Sequence, residues 1–347
     1  IENSFNSPDF PCFLINIGAK RFFIDNIHLD SCKGYWLGAI AQTSVTMFTY
    51  DLWTFTSNEY RNNPILIQSI SSFQFNNCSF RLNNKSPSDG GAFRCINYEV
   101  SFLNCEFIAN TARFGGAIYI GNVSTAISIT NCTFQSNRGE IDGGAIYLSN
   151  SQSKDNLKTI QIENCTFFSC TSARYGGALF LDSAIEVELI GINHFDSCSC
   201  SNEGSIIYLQ EKTDFFNLPS ETIISNQVDI SSRLIFAGCK DFRCYNLKLN
   251  NNITQNCFYL HGSGRSEIKS IYFENTKQGI YVFSGAETVE IMDCIFYNCH
   301  PNDYIVSINS PFDVVFTRNT FNSEKDGRRT AALYIHHYGR TLEITHN

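Results

Sequence analysis

The sequence predicts an all-β protein, a single-stranded parallel β-helix of roughly twelve or thirteen coils, on three observations. Asn-Cys-x-Phe recurs at Asn77-Cys78-Ser79-Phe80, Asn104-Cys105-Glu106-Phe107, Asn131-Cys132-Thr133-Phe134 and Asn164-Cys165-Thr166-Phe167. Its cysteines are spaced 27, 27 and 33 residues apart, with Cys198 another 33 on. Gly-Gly-Ala begins at Gly90, Gly115, Gly143 and Gly176, always between two of those cysteines. The segments before the markers alternate, as in Ile160 and Ile162, Val187 and Leu189, Val289 and Ile291, Leu342 and Ile344. Period two with one apolar face means strand, and no segment keeps the helical i, i+3, i+4, i+7 stripe.

One unit of about 22–33 residues is too small to bury its own apolar face, so units must stack and share a core. Equivalent strands then lie side by side and parallel, about 4.8 Å apart. Differences in spacing are absorbed by turns bulging outward, of which Ser149–Lys158 is the best example.

Within a coil, Ile129, Cys132 and Phe134 are expected to point inward, with the corner at Thr130-Asn131 absorbing the change of phase. Stacking then builds a core ladder of Cys78, Cys105, Cys132 and Cys165 with Phe80, Phe107, Phe134 and Phe167. Burying each Phe contributes about 1.5–3 kcal/mol. The pairs Gly90-Gly91, Gly115-Gly116, Gly143-Gly144 and Gly176-Gly177 suit a tight corner needing positive φ or close approach of coils. Asn137 and its equivalents suit backbone groups at a buried turn.

The copies are clearest over 75–210 and worn over 1–74 and 211–347. Phe13–Ile17, Phe22–Ile27 and Leu29–Cys32 keep the order strand, strand, Cys, and Leu37-Gly38-Ala39-Ile40 is a worn Gly-Gly-Ala-Ile. Later coils open at Gly204-Ser205-Ile206-Ile207-Tyr208-Leu209, Leu234-Ile235-Phe236, Cys257–Leu260, Gly279–Val282 and Ala332–Ile335. Residues 1–347 read as one continuous domain. The chain starts at Ile1 without a signal-peptide pattern, and Leu342–Asn347 stops at the phase where Ile1–Phe5 starts. Neither end carries a cap, so the expectation is a piece of a longer chain, or end-to-end stacking on another copy.

Cys-x-Phe-x-x-Asn, seen in Phe80…Asn83, Phe107…Asn110 and Phe134…Asn137, together with Gly-Gly-Ala-Ile resembles the tandem repeats of the polymorphic outer-membrane (Pmp) proteins of chlamydiae and similar protist surface proteins. The resemblance covers roughly 75–210. Cys170 and Cys299 depart from it, standing where Phe167 and Phe296 should find their Asn. It implies a right-handed parallel β-helix of the pectate-lyase-like superfold, carried on or outside the cell, usually as an adhesin passenger. No outer-membrane barrel segment matches, so that family's anchor is not carried over.

Fifteen cysteines point to an oxidising compartment, and the odd count leaves at least one thiol unpaired within the chain. Without a Cys-x-x-Cys pair, zinc is disfavoured. Cys165/Cys170, Cys239/Cys244 and Cys294/Cys299 share a spacing of five, and local bonds are expected for the first and last; a buried free-thiol ladder is the other reading. Sequons fall at Asn77, Asn84, Asn122, Asn131, Asn164 and Asn252. Asn77, Asn131 and Asn164 share one repeat position beside an inward Cys, so in a secreted chain they would form an outward stripe of N-glycans; an internal Asn ladder is the alternative.

A net charge of −8 argues against a nucleic-acid partner, and no apolar run reaches the roughly 18 residues of a transmembrane helix. Glycoside hydrolysis needs two converging carboxylates. The chain has no Asp-Asp dipeptide, and His261-Gly262-Ser263-Gly264-Arg265 is only an echo of a β-helical glycosidase motif. No catalytic residue, metal ligand or cofactor is expected. The sequence therefore suggests a non-catalytic extracellular or cell-surface protein, adhesive or structural, whose partners are itself, or surface glycans or proteins. The alternative is a polysaccharide lyase or glycoside hydrolase.

Overall fold

The structure, a computed structural model, describes residues 11–347 except 18–20, 31–34, 46, 57–64, 71, 85–87, 97–98, 122–125, 150–158, 183–185, 211–214, 219–221, 226–232, 240, 250–255, 262–263, 277, 284–286, 300–303, 310–312, 323–330 and 338. The expected bulge at 149–158 lies outside these residues beyond Ser149, and so do Asn122, Asn252, Gly262 and Ser263.

One coil shows how the chain winds. Ile127–Thr130, Thr133–Gln135, Arg138–Asp142 and Ile146–Ser149 are laid on successive walls, and Thr159–Glu163 then returns to pair in parallel with Ile127–Thr130. Repeating this circuit produces a thirteen-stranded wall from Arg21–Asp25 to Thr341–Thr345 and a twelve-stranded wall from His28–Asp30 to Thr320–Asn322. A third wall is ten-stranded from Phe93–Ile96 to Ala331–His336, preceded by a three-stranded sheet beginning at Pro11–Ile17. A short four-stranded sheet, Thr111–Phe114 to Ser199–Cys200, fills the corner between the twelve- and ten-stranded walls. This is a parallel β-solenoid, all strand among the described residues.

The first corner is a single left-handed residue. Asn77, Asn104, Asn131 and Asn164 have φ of 51–53°, a region Asn tolerates because its short side chain bonds locally. The glycine corner has two separate requirements. Gly143 sits at φ +67°, while a Cβ on Gly144 would lie 1.9 Å from the Gly177 carbonyl oxygen of the next coil. The first glycine turns the chain; the second lets the coils touch.

Register stacks like on like inside. Phe80, Phe107, Phe134 and Phe167 are fully buried, with successive centroids 4.8 Å apart and planes within 4°. Beside them runs a buried polar spine, Asn83, Asn110 and Asn137. Asn110 Nδ2 donates to Asn137 Oδ1 at 3.0 Å and to the Phe80 carbonyl at 2.9 Å.

Register also corrects the cysteine spacing. Cys198 is not the next member of the Cys165 ladder, because Ser199-Cys200 pairs with Thr171-Ser172, which sets Cys198 beside Cys170 in the continuation of the Asn spine. The place beside Cys165 goes to Asn193, whose Oδ1 accepts the Cys165 N–H at 3.0 Å. The expected local disulfides are a second correction. Cys165, Cys170, Cys294 and Cys299 are all free, buried thiols. Each reaches back along the axis, not toward its sequence neighbour: Cys165 to the Ile129 carbonyl (3.4 Å), Cys170 to Phe134 (3.4 Å), Cys294 to Ile268 (3.9 Å) and Cys299 to Phe273 (3.8 Å).

Candidate functional site

On the ten-stranded wall Ile118 and Ile120 are buried and Tyr119 between them is half-exposed. Because the coils stay in register, outward residues also stack, forming a spine of Tyr119, Tyr147, Phe180, Tyr208, Phe236, Tyr259 and Tyr281. Successive centroids are 5.4, 4.7, 5.1, 4.7, 5.1 and 5.1 Å apart, with planes within 16°. Strand spacing of about 4.8 Å suits offset ring stacking, so the spine costs the backbone no distortion. Arg94 caps Tyr119 at 5.4 Å, and Arg233 lies 3.6 Å over Tyr259. The ring faces are occupied by one another, leaving edges and hydroxyls outermost.

A second row flanks the spine. The residues before the positive-φ glycines, Phe114, Asp142, Tyr175 and Glu203, are register partners on consecutive coils. Phe114 leans on Tyr147 (5.0 Å, 47°) and Tyr175 on Tyr208 (4.6 Å, 35°). Asp142, shorter, stands between them. A notch of about 210 Å³ opens there, with Phe114, Tyr175, Phe180, Asp142, Arg174 and Gln210 among the residues that line it.

The Asp142 side chain is 3% exposed and accepts from Arg174 Nε (3.2 Å), Arg174 Nη2 (2.6 Å) and the Tyr175 N–H (3.2 Å). Loss of solvent pushes its carboxyl above the ordinary value, against the downward pull of Arg174. Glu203, paired with Arg233 Nη1 at 2.5 Å, is raised for the same reason.

A family model described as the right-handed β-helix region matches residues 13–190, just over half of the chain. The chain belongs to that family. No curated protein and no solved structure matches it significantly.

The β-helix places its sequon residues unevenly. Asn77, Asn131 and Asn164 are exposed at the left-handed corner and Asn84 is exposed beyond the next one. Asn77 Nδ2 donates to Asp51 (2.9 Å) and Asn164 Oδ1 accepts from the Ile192 N–H (2.9 Å). Among the described residues no group of three or more His, Cys, Asp or Glu is arranged to hold a metal. The aromatic spine escaped the sequence reading, which treated Gly-Gly-Ala-Ile-Tyr-Ile as a corner only. The signal was there: alternation turns the fifth residue outward, and after Arg94 in the first copy it is Tyr119, Tyr147, Phe180 and Tyr208. The notch had no such signal, because its walls lie two coils apart.

Proposed function

We propose that the chain is a rigid, non-catalytic β-helix rod acting outside the cell by contact, as an adhesive or structural surface protein. The observation that supports this best is the outward aromatic spine, repeated over seven successive coils. A contact surface gains from such repetition, whereas acid–base chemistry needs one local constellation. The Pmp-like repeats and the exposed row of Asn77, Asn131 and Asn164 support the extracellular part of the reading. The test is to incubate the purified rod with intact cells and with a polysaccharide panel. Retention on cell surfaces with the polysaccharides left intact is expected; release of new chain ends would overturn it.

A carbohydrate-active enzyme is the second reading, favoured by two raised carboxyls in one register row, Asp142 and Glu203. They stand two coils apart, about 9.6 Å between backbones. Inverting glycosidases hold their carboxyls roughly 6.5–9.5 Å apart. Both carboxylates are engaged by arginine, which opposes either acting as a free acid or base. Cleavage lost in both Asp142→Asn and Glu203→Gln would establish this reading.

A further inference from the structure

We infer that the notch between Phe114 and Tyr175 is a binding subsite for one pyranose ring of an uncharged glycan. The inference deepens the adhesive reading by naming what the rod grips. It begins from a break in the row flanking the spine, where the short Asp142 stands between the rings of Phe114 and Tyr175. Phe114 and Tyr175 come from register positions two coils apart, about 9.6 Å between backbones. Each leans one coil forward onto the spine, so a slot is left over Phe180. About 210 Å³ suits one sugar ring and little more, well below the roughly 300–1,000 Å³ of sites for larger ligands.

The lining selects the charge of the occupant. Two aromatic walls and a buried carboxylate would ordinarily attract a cation. Here that place is already taken: the Arg174 guanidinium is bonded to Asp142 and lies 5.5 Å over the Tyr175 ring. A ligand cation would be repelled by Arg174, and a uronate carboxylate would gain little from an arginine already neutralised by Asp142. An uncharged ring with apolar C–H faces and a rim of hydroxyls meets neither penalty. Its C–H groups pack on the edges of Phe114 and Tyr175 that line the notch, the ring faces being taken by Arg113, Arg174 and the spine. Its hydroxyls meet the Gln210 amide, the remaining N–H groups of Arg174 and the Asp142 carboxylate. The spine continues on both sides of the notch, so further sugar units of the same chain would run along the ring edges.

Calorimetric titration of the purified chain tests this, with cellohexaose, xylohexaose and chitohexaose as neutral probes, hexagalacturonate as the anionic probe and choline as the cationic one. At least one neutral probe is expected to bind, about tenfold more weakly in Tyr175→Ala and in Gln210→Ala, and unchanged in Phe168→Ala, an exposed ring on the twelve-stranded wall away from the spine. Gln210 is exposed, so its variant keeps the fold and the test. No binding of a neutral probe at about 10 mM, preference for hexagalacturonate or choline, or binding indifferent to both Tyr175→Ala and Gln210→Ala would each overturn the proposal. A rod that adheres to cells yet binds no neutral probe sinks the subsite and leaves the adhesive reading standing. Cleavage of a probe sinks the adhesive reading instead.

Discussion

Asn110 and Asn137 lie 27 residues apart in sequence, yet one Asn137 Oδ1 accepts both the backbone N–H and the side-chain amide of Asn110, each at 3.0 Å. Asn110 Oδ1 repeats the arrangement toward Asn83, at 3.0 and 2.9 Å. Each amide thus clamps the coil before it and is clamped by the coil after it. Asn110→Leu strands the two Asn83 donors and the Phe80 carbonyl in a dry interior, and an expected loss of about 3–5 kcal/mol follows from unsatisfied groups of this kind. Asn110→Cys, which copies what Cys170 does one coil beyond Asn137, should lose less. Urea denaturation of the two variants checks both the size and the order.

The glycine corner makes a sharper geometric claim. Gly144→Ala sets a methyl against the Gly177 carbonyl and the Thr171 N–H, both backbone atoms that no rotamer change can move. An expected loss of about 4 kcal/mol or more places it in the tail of single substitutions. Gly143→Ala meets a left-handed φ and should cost about 1–3 kcal/mol. Gly121→Ala, whose new methyl meets only the Tyr119 side chain, should cost least. Thermal melts rank the three; a Gly121 variant worse than the Gly144 variant would contradict the close approach of coils.

Among the described residues thirteen cysteines are free and buried, and burial pushes the Cys132, Cys198, Cys244 and Cys257 thiols up, away from the reactive thiolate. Iodoacetamide should leave these cysteines untouched in the folded protein at pH 8 and label all thirteen after unfolding in urea without reductant. Peptide mass mapping reads the result. Protection that persists in urea until reductant is added would mean they are bonded.

Asp142 supplies a pH-dependent term whose sign is set by burial. Its folded-state carboxyl is raised above 3.8, so the folded chain holds that proton more tightly than the unfolded one. Stability from this group is therefore full below 3.8 and is lost as pH rises through the folded value. Arg174 opposes the shift, so Arg174→Met should raise the carboxyl further and carry the loss to higher pH. The variant is expected to match the parent closely at pH 4 and to fall about 2 kcal/mol below it at pH 7. Urea midpoints across that range test this; an equal deficit at both ends would assign the role of Arg174 to packing.

Glycans are the readout of the outward corner. Expressed through a eukaryotic secretory pathway, the chain should lose mass on glycosidase treatment, with Asn77, Asn131 and Asn164 among the modified residues. All three are exposed at one repeat position, so glycans there share a face with no cost to the core. An intact mass unchanged by the enzyme removes the glycan stripe.

The strand class, the parallel stacking, the inward Cys and Phe, and the positions of the corners are legible in the residues alone. Those follow from period-two alternation and from markers that each coil repeats locally, as in Ile129, Asn131, Cys132 and Phe134. Which residues meet across coils is set by how the folded coils align. Turn lengths vary, and register is set by inward side chains packing on their equivalents, not by residue count. Hence Cys198, spaced as the next Cys165, falls beside Cys170, while Asn193 takes the vacant place. For the same reason the thiols of Cys165 and Cys170 point back to separate carbonyls and not at each other. The notch belongs to this second kind of information too: Phe114, Asp142 and Tyr175 are unremarkable in the sequence and become one site because three coils align them.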